Sequence, residues 1–542
     1  MTRLDADLIV RGGCIASLDG ANRTHSALAA RAGRIVQMGS DGEVEPLRGD
    51  GTTVVELKGR TVIPGIVDSH CHPDGYAARL ARWHELSPSG IPSRTALLDC
   101  IRSVSQTLAS DQWFLGYRLN ERKSGGYPTL AELDAATMNR PLFILRTDGH
   151  LGLANSAALA ICGINDDTPN PPFGQFDRHP ETGALTGLVR ETAAHIFLDR
   201  VHSDDTVESV AHGLCSVFEE FLSHGVTSVY NSLTSSTGIR AYQRLQAQDR
   251  MSLRVGIIVS GREEGLVESY VRSGVESGFG NDWLRIIGVE WCPDCSTSGR
   301  TAAYYEPYIG DAVPGEPVPN SDMLLFTAED LTERAVRAHK AGLRICIEGV
   351  GDRGIDFALD AIEAALKAHP VEDHRSRVEH CCYVTPELVE RLKRLGVTDS
   401  SATGFMYDLG DAYVANRGDD AMAHMWPHRA LIDAGVPAPG HSDAPVCGVN
   451  PWQVFWSLVN RTGDTGGSLD RSQAITVTEA LQTYTTLGAW TGIEEDLKGT
   501  IETGKLADFA VLKSDPWSIE TTALRDVDVA MTLVGGEVVY ES

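Results

Sequence analysis

The sequence predicts an α/β fold: a (β/α)8 TIM-like barrel that carries a composite β-sandwich from both termini and a large insertion after strand 1. Three observations predict it. Apolar strands alternate with helical patterns through the middle of the chain, as in a parallel sheet. Short β-patterned runs divided by Gly-rich turns occupy both ends. Histidines and acids recur at the carboxyl ends of the middle strands, the face where such barrels build their sites.

The ends come first. Asp7-Leu-Ile-Val-Arg, Arg34-Ile-Val-Gln-Met and Thr53-Val-Val-Glu-Leu read as strands, with Gly12-Gly13 as a turn. Ala507-Asp-Phe-Ala-Val-Leu, Val529-Ala-Met-Thr-Leu-Val and Val538-Val-Tyr repeat that style around Gly535-Gly536. Residues 1–60 and 499–542 are therefore expected to pair into one sandwich, with a barrel of residues 61–498 between them.

Eight barrel strands are expected: Val62 to His72, Val226 to Tyr230, Arg254 to Val259, Leu284 to Glu290, Arg344 to Glu348, Arg377 to His380, Val397 to Ser401 and Val436 to Asp443. Pro437 and Pro439 fit a central strand poorly, since proline cannot donate to a ladder. A helix is expected after Thr327, with Leu331, Ala335, Val336 and Leu343 at helical spacing. Another is expected at Thr385-Pro386-Glu387, with Thr as N-cap and Pro at the first helical position. Residues 74–225 are more than a simple barrel needs, and are expected to form an inserted lid or substrate subdomain.

Composition bounds the function. The chain has 542 residues, 42% hydrophobic and 22% charged, with a formal net charge of −27. Such a polyanion repels phosphate backbones and anionic membranes, so nucleic acid and membrane partners are not expected. The start of the chain lacks a basic segment followed by an apolar one, and no apolar stretch reaches the length of a membrane span. The 11 cysteines show no disulfide-scaffold spacing, and a cytoplasmic location is expected. Cys292-Pro-Asp-Cys295 has no second pair at zinc-finger spacing and reads as local sequence. Whether the chain forms a homodimer is left open.

The chemistry starts at Val62-Ile-Pro-Gly-Ile-Val-Asp-Ser-His70-Cys-His72. Residues two apart on a strand share a face, so His70 and His72 can aim two imidazoles at one ion. Cys71 should face the other way and serve packing. Glu290, Glu348, His380 and Asp443 end four further strands. Five strand ends bearing such residues form a constellation at one barrel face. Gly349-Val-Gly351-Asp-Arg-Gly354 formally matches a dinucleotide-binding loop, a rival reading without a second βαβ unit to support it. No Gly-x-Ser-x-Gly elbow is present.

The first-strand run, Thr147-Asp-Gly-His-Leu-Gly-Leu-Ala-Asn155-Ser-Ala-Ala-Leu, the Gly349–Gly354 loop, Arg377-Val-Glu-His380, Ser442-Asp-Ala-Pro-Val446 and Gly499-Thr-Ile-Glu-Thr-Gly-Lys-Leu-Ala-Asp508 together resemble the amidohydrolase superfamily. The likeness is to its YtcJ-like branch, amidohydrolase family 3, and extends to N-substituted formamide deformylases. The resemblance implies a distorted barrel with a composite sandwich. It implies His70, His72 and His380 as metal ligands, with Asp443 a ligand that also handles the proton. It gives His150 and Asn155 as substrate contacts.

This chain departs from the family pattern at two positions. Glu290 stands where the family usually has a lysine, often carboxylated, and Glu348 where it usually has a histidine. Glu290 can still bridge two metals, or a single ion can be held. Oxygen-rich ligation admits Zn2+, Mn2+ or Fe2+, with Zn2+ first. Glu348 is either a ligand or an unligated acid or base. Arg300, in Ser298-Gly-Arg-Thr301, is a candidate for binding a substrate carbonyl or carboxylate.

The expected function is metal-dependent hydrolysis of a C–N bond in a small amide-like substrate, with Asp443 as the catalytic proton carrier. Two alternatives stand beside it: a mononuclear hydrolytic deaminase, and a metal-poor binding or regulatory protein.

Overall fold

The computed structural model describes residues 5–87, 90–310, 320 and 323–542. Met1–Leu4, part of the segment read for targeting, lie outside the described residues. Seven parallel strands form the barrel wall: β1 (Ile66–Cys71), β2 (Val226–Thr234), β3 (Arg254–Ser260), β4 (Leu284–Trp291), β5 (Ile345–Gly349), β6 (Arg377–His380) and β7 (Thr398–Ser401). Each pairs with its neighbour in sequence, and they are buried almost throughout. That burial explains their near-continuous apolar runs, because helices cover a parallel sheet. Val67, Tyr230, Ile258, Ile287 and Cys346, one from each of the first five strands, make an apolar cluster of their own.

Residues 436–443 fill the gap between β7 and β1, but not as the regular strand expected there. Asp399 and Ser401 donate backbone N–H groups to the carbonyls of Pro437 and Pro439, at 3.0 and 2.9 Å. On the other side the Asp443 N–H reaches the His70 carbonyl at 3.1 Å. The two prolines accept bonds but donate none, and the segment's own donors to its neighbours come later, from His441 to the Ser401 carbonyl at 3.1 Å and from Asp443.

The predicted first strand also divides. Thr61–Pro64 belongs to the terminal sheet, Ile66–Cys71 to the barrel, and Gly65 lies between them. A side chain at Gly65 would overlap Thr227, so only glycine lets the chain change sheets here. His72 falls past the strand end and is the N-cap residue of helix α1 (Pro73–Leu80).

The two ends of the chain meet in one eight-stranded sheet. Its N-terminal part joins its C-terminal part where Thr61–Pro64 runs antiparallel to Phe509–Leu512. Leu8, Val10, Leu28 and Val62 share a core with Phe509, Val511 and Leu533. The buried pair Arg254–Asp508, with N–O distances of 2.6 and 2.9 Å, ties this sheet to β3.

Within residues 74–225, a six-stranded sheet spans His84–Glu85 to Leu185–Glu191 and has its own apolar core. The helix α2 (Val207–Ser223) buries Val210, Leu214, Val217, Phe218 and Phe221, packs against α1 and leads into β2. It is therefore a barrel helix, and the inserted sheet is shorter than the expected 74–225 segment. Thr327 and Thr385 cap helices α3 (Ala328–Lys340) and α4 (Pro386–Leu395) by accepting from the N–H groups of Asp330 and Leu388.

Candidate metal centre

β1 delivers His70, and the turn into α1 delivers His72. Both Nε2 atoms face the same oxygen, Asp443 Oδ1, at 3.3 Å from His70 and 2.9 Å from His72. The ligand-type atoms of His70, His72 and Asp443 lie within 4.8 Å of one another. The Nε2 of His70 is buried and makes no hydrogen bond. A buried nitrogen left unbonded is costly unless a further partner reaches it, and a cation is such a partner. These residues fit a metal ion.

The imidazoles are locked from behind. His72 Nδ1 lies 3.0 Å from the Ser232 carbonyl, and His70 Nδ1 lies 2.9 Å from Glu379 Oε2. Both partners only accept, so each Nδ1 carries the proton and each Nε2 offers its lone pair to the centre. Arg377 pairs with Glu379. Burial would raise the Glu379 carboxyl, but Arg377 and His70 outweigh it and hold the group ionised.

His380 and Glu348 face one another, with Nε2 3.2 Å from Oε1. Burial alone would raise Glu348, yet His380, His150 and Arg262 bring it down to about 2. Glu290 accepts from the Ser232 hydroxyl, and Cys292 Sγ lies 3.9 Å from its other oxygen. Glu290, Cys292 and Glu348 form a second group of buried ligand-type atoms within 4.8 Å of one another. The structure thus places the Cys292-Pro-Asp-Cys295 segment beside the site, where sequence reasoning had given it no chemical role.

A cavity of about 460 Å³ opens over these groups, lined among others by His72, Glu290, Glu348, Asp443, His150 and Arg262. His150 comes from the inserted sheet region. Its Nδ1 is 2.8 Å from Glu191 Oε2, and its Nε2 is 3.8 Å from Glu348 Oε1. Burial would lower His150, but Glu191, Glu348 and Asp148 raise it to about 9. Left-handed backbone recurs here at non-glycine residues: φ is +74° at His380, +58° at Asp443 and +51° at Glu191. Such conformations cost of order 1–3 kcal/mol each and persist where the surroundings enforce them.

Asn155 and Arg300 do not join the site. Asn155 is fully buried as the N-cap of the helix Ser156–Ile161. Its side chain accepts from Leu142 and Ala158 and donates to Thr137 and the Arg140 carbonyl. All its bonding capacity is therefore used in the fold. The Arg300 guanidinium donates to the Ile309 carbonyl and lies over the Tyr308 ring, away from the cavity lining. The Gly349–Gly354 loop is not a phosphate cradle. Asp294 accepts from the Val350 and Gly351 N–H groups, and its carboxylate occupies the space beside Gly354.

Sequence reasoning gave no role to Glu379, Glu191, Arg262 or Cys292. Two signals were available. Cys292 follows Glu290 at the two-residue spacing that shares a strand face. Glu379 immediately precedes His380 in a fully buried strand, where a carboxylate needs a partner.

A family model described as the amidohydrolase family matches residues 53–540. The chain belongs to this amidohydrolase family. The chain is 27% identical to the N-substituted formamide deformylase of Arthrobacter pascens, over 99% of this chain and 98% of that protein. It is also 27% identical to the protein YtcJ of Bacillus subtilis, over 90% of this chain and 91% of that one. The chain is likewise 27% identical to the protein LONG AFTER FAR-RED 3 of Arabidopsis thaliana, over 99% of this chain and 92% of that protein. Among solved structures, an uncharacterized metal-dependent hydrolase of Pyrococcus horikoshii superposes with a TM-score of 0.76. It is 25% identical and covers 95% of this chain and 99% of its own. Among the described residues no helix is long and apolar enough to cross a membrane.

Proposed function

We propose that this amidohydrolase is a divalent-metal hydrolase, zinc first, that cleaves the C–N bond of a small amide of the N-substituted formamide type. One observation carries the reading. His70 and His72 each fix Nδ1 on an acceptor and turn Nε2 toward the same Asp443 oxygen. Glu348 links His380, 3.2 Å away, to Glu290, whose ligand-type atom lies within 4.8 Å of its own, and these side chains are the candidates to complete one site or a pair.

When bound, such an ion supplies a polarised carbonyl and a water acidic enough to ionise near neutral pH. The remaining work falls to side chains. Asp443 receives a proton from the attacking water and returns it to the departing nitrogen, whose loss as an anion would be costly. His150, braced by Glu191 and lining the cavity, is the side chain we assign to steady the negative charge that grows on the carbonyl oxygen. His150 comes from the inserted sheet region and lines the cavity, which supports reading this subdomain as a substrate wall. The cavity of about 460 Å³ suits a small amide. Cysteines without disulfides fit a reducing cytoplasm.

The test is a panel of N-substituted formamides and simple amides assayed for formate or carboxylate release. Activity should vanish with a chelator, return with zinc, and be absent in Asp443→Asn. Ammonia release without a carboxylate product would point to deamination. No turnover of any C–N substrate by zinc-loaded protein would overturn the proposal.

A further inference from the structure

We propose that Cys292 is a metal ligand: with Glu290, Glu348 and His380 it forms a second, thiolate-bearing cation site beside His70, His72 and Asp443. The inference rests on the metal-dependent reading above and specifies its second half.

Geometry supplies the first argument. Glu290 lies near the end of β4, and Cys292 follows two residues later, just past the last strand residue. The thiol lies 3.9 Å from Glu290 Oε1. Glu348, on the neighbouring strand β5, brings its carboxylate within 4.8 Å of both. His380, on β6, stands beside this group and reaches Glu348 alone, with Nε2 3.2 Å from Oε1. Donors placed 2.0–2.3 Å from a tetrahedral ion sit roughly 3.3–3.8 Å from one another. The spacings among Glu290, Cys292 and Glu348 need side-chain adjustments of about an ångström to meet that geometry, and His380 must turn further to join them.

Burial supplies the second. Glu290, Cys292 and Glu348 are all nearly inaccessible to solvent. Two carboxylates taken out of water side by side cost several kcal/mol per ion unless cations face them: His380, His150 and Arg262 do so for Glu348, while the hydrogen-bonding groups at Glu290 are neutral. Among the described residues the Ser232 hydroxyl and the Cys292 thiol are the hydrogen-bonding groups at Glu290. A cysteine kept for packing would face apolar neighbours. This one faces two acids, an arrangement that a shared cation makes favourable. On binding, the thiol proton leaves to solvent and sulfur bonds the ion.

The sulfur also fixes the metal class. Thiolate favours zinc, cobalt or ferrous iron over magnesium and manganese. The two sites therefore differ, one built on two imidazoles and a carboxylate, the other on a thiolate, two carboxylates and one imidazole.

The experiment is cobalt titration of the metal-free full-length protein, read by absorbance and by elemental analysis. Wild type should take up two equivalents and develop a thiolate-to-cobalt charge-transfer band in the near ultraviolet. Cys292→Ser should lose the band and one equivalent, and Cys295→Ser should keep both. His72→Ala should lose the other equivalent and keep the band. Circular dichroism checks that each variant folds, and the wild-type band stands even if one does not. One equivalent bound without a band, or a band retained in folded Cys292→Ser, would overturn the proposal and leave the hydrolase reading intact. No cobalt or zinc bound at all would overturn both.

Discussion

Glu379 Oε2 lies 2.9 Å from His70 Nδ1, and Arg377 Nη2 donates to the same oxygen at 2.7 Å. The pair fixes both the tautomer and the aim of a candidate ligand from a residue outside the cavity lining. Glu379→Gln keeps the shape but removes the charge. It should weaken zinc binding about 10–100-fold, the usual effect of losing an outer-shell carboxylate. Competition with a chromogenic chelator measures this. Unchanged affinity would remove Glu379 from the account.

His150 is raised to about 9 because Glu191, Glu348 and Asp148 outweigh its burial. A base whose pKa is raised keeps its charge below that value and loses it above. If the charged form steadies the developing oxyanion, kcat/KM should decline on the alkaline side near pH 9. Glu191→Gln removes the largest supporting charge, so this limb should move to lower pH. His150→Gln should lower kcat by about 10²–10³ with the metal content unchanged. A pH profile with the same alkaline limb in Glu191→Gln would contradict the role.

Asp508 joins the terminal sheet to the barrel through Arg254, and both side chains are buried. Asp508→Asn leaves a buried guanidinium without its countercharge. It should destabilise the protein by about 3–5 kcal/mol, seen as a lower Tm. Activity per folded molecule at low temperature should change little, because the pair lies outside the cavity lining.

Asp399 on β7 is pushed up to about 8, chiefly by burial, against the pull of the Ser401 hydroxyl and the Cys381 thiol. An unfolded aspartate ionises near 3.8. Between those values the unfolded chain has lost a proton that the folded one retains, so stability falls as pH rises from about 4 to 8, by at most about 1.4 kcal/mol per pH unit. Asp399→Asn should therefore gain stability relative to wild type across that window and show no gain below it. Denaturant melts at pH 4 and pH 8 test this, and a constant gap would contradict it.

The barrel was legible in the sequence because parallel strands covered by helices must be apolar along their length. Its closing segment was not, because Pro437 and Pro439 cannot donate and leave an interrupted ladder that no periodicity records. The paired aim of His70 and His72 was also legible, although His72 arrives from a helix cap and not from a strand. Asn155 was misread. An Asn before Ser-Ala-Ala-Leu is a capping signal, and the structure uses it so. Glu191 was hidden because it joins His150 only through the fold of the inserted sheet, 41 residues away in sequence. Contacts of that range leave no local pattern.

The most direct test of the central claim is an anomalous-difference map from crystals of zinc-loaded protein. The account predicts a peak roughly 2.0–2.2 Å from the Nε2 atoms of His70 and His72 and from an Asp443 oxygen. Full zinc loading with no density at those three side chains would contradict it.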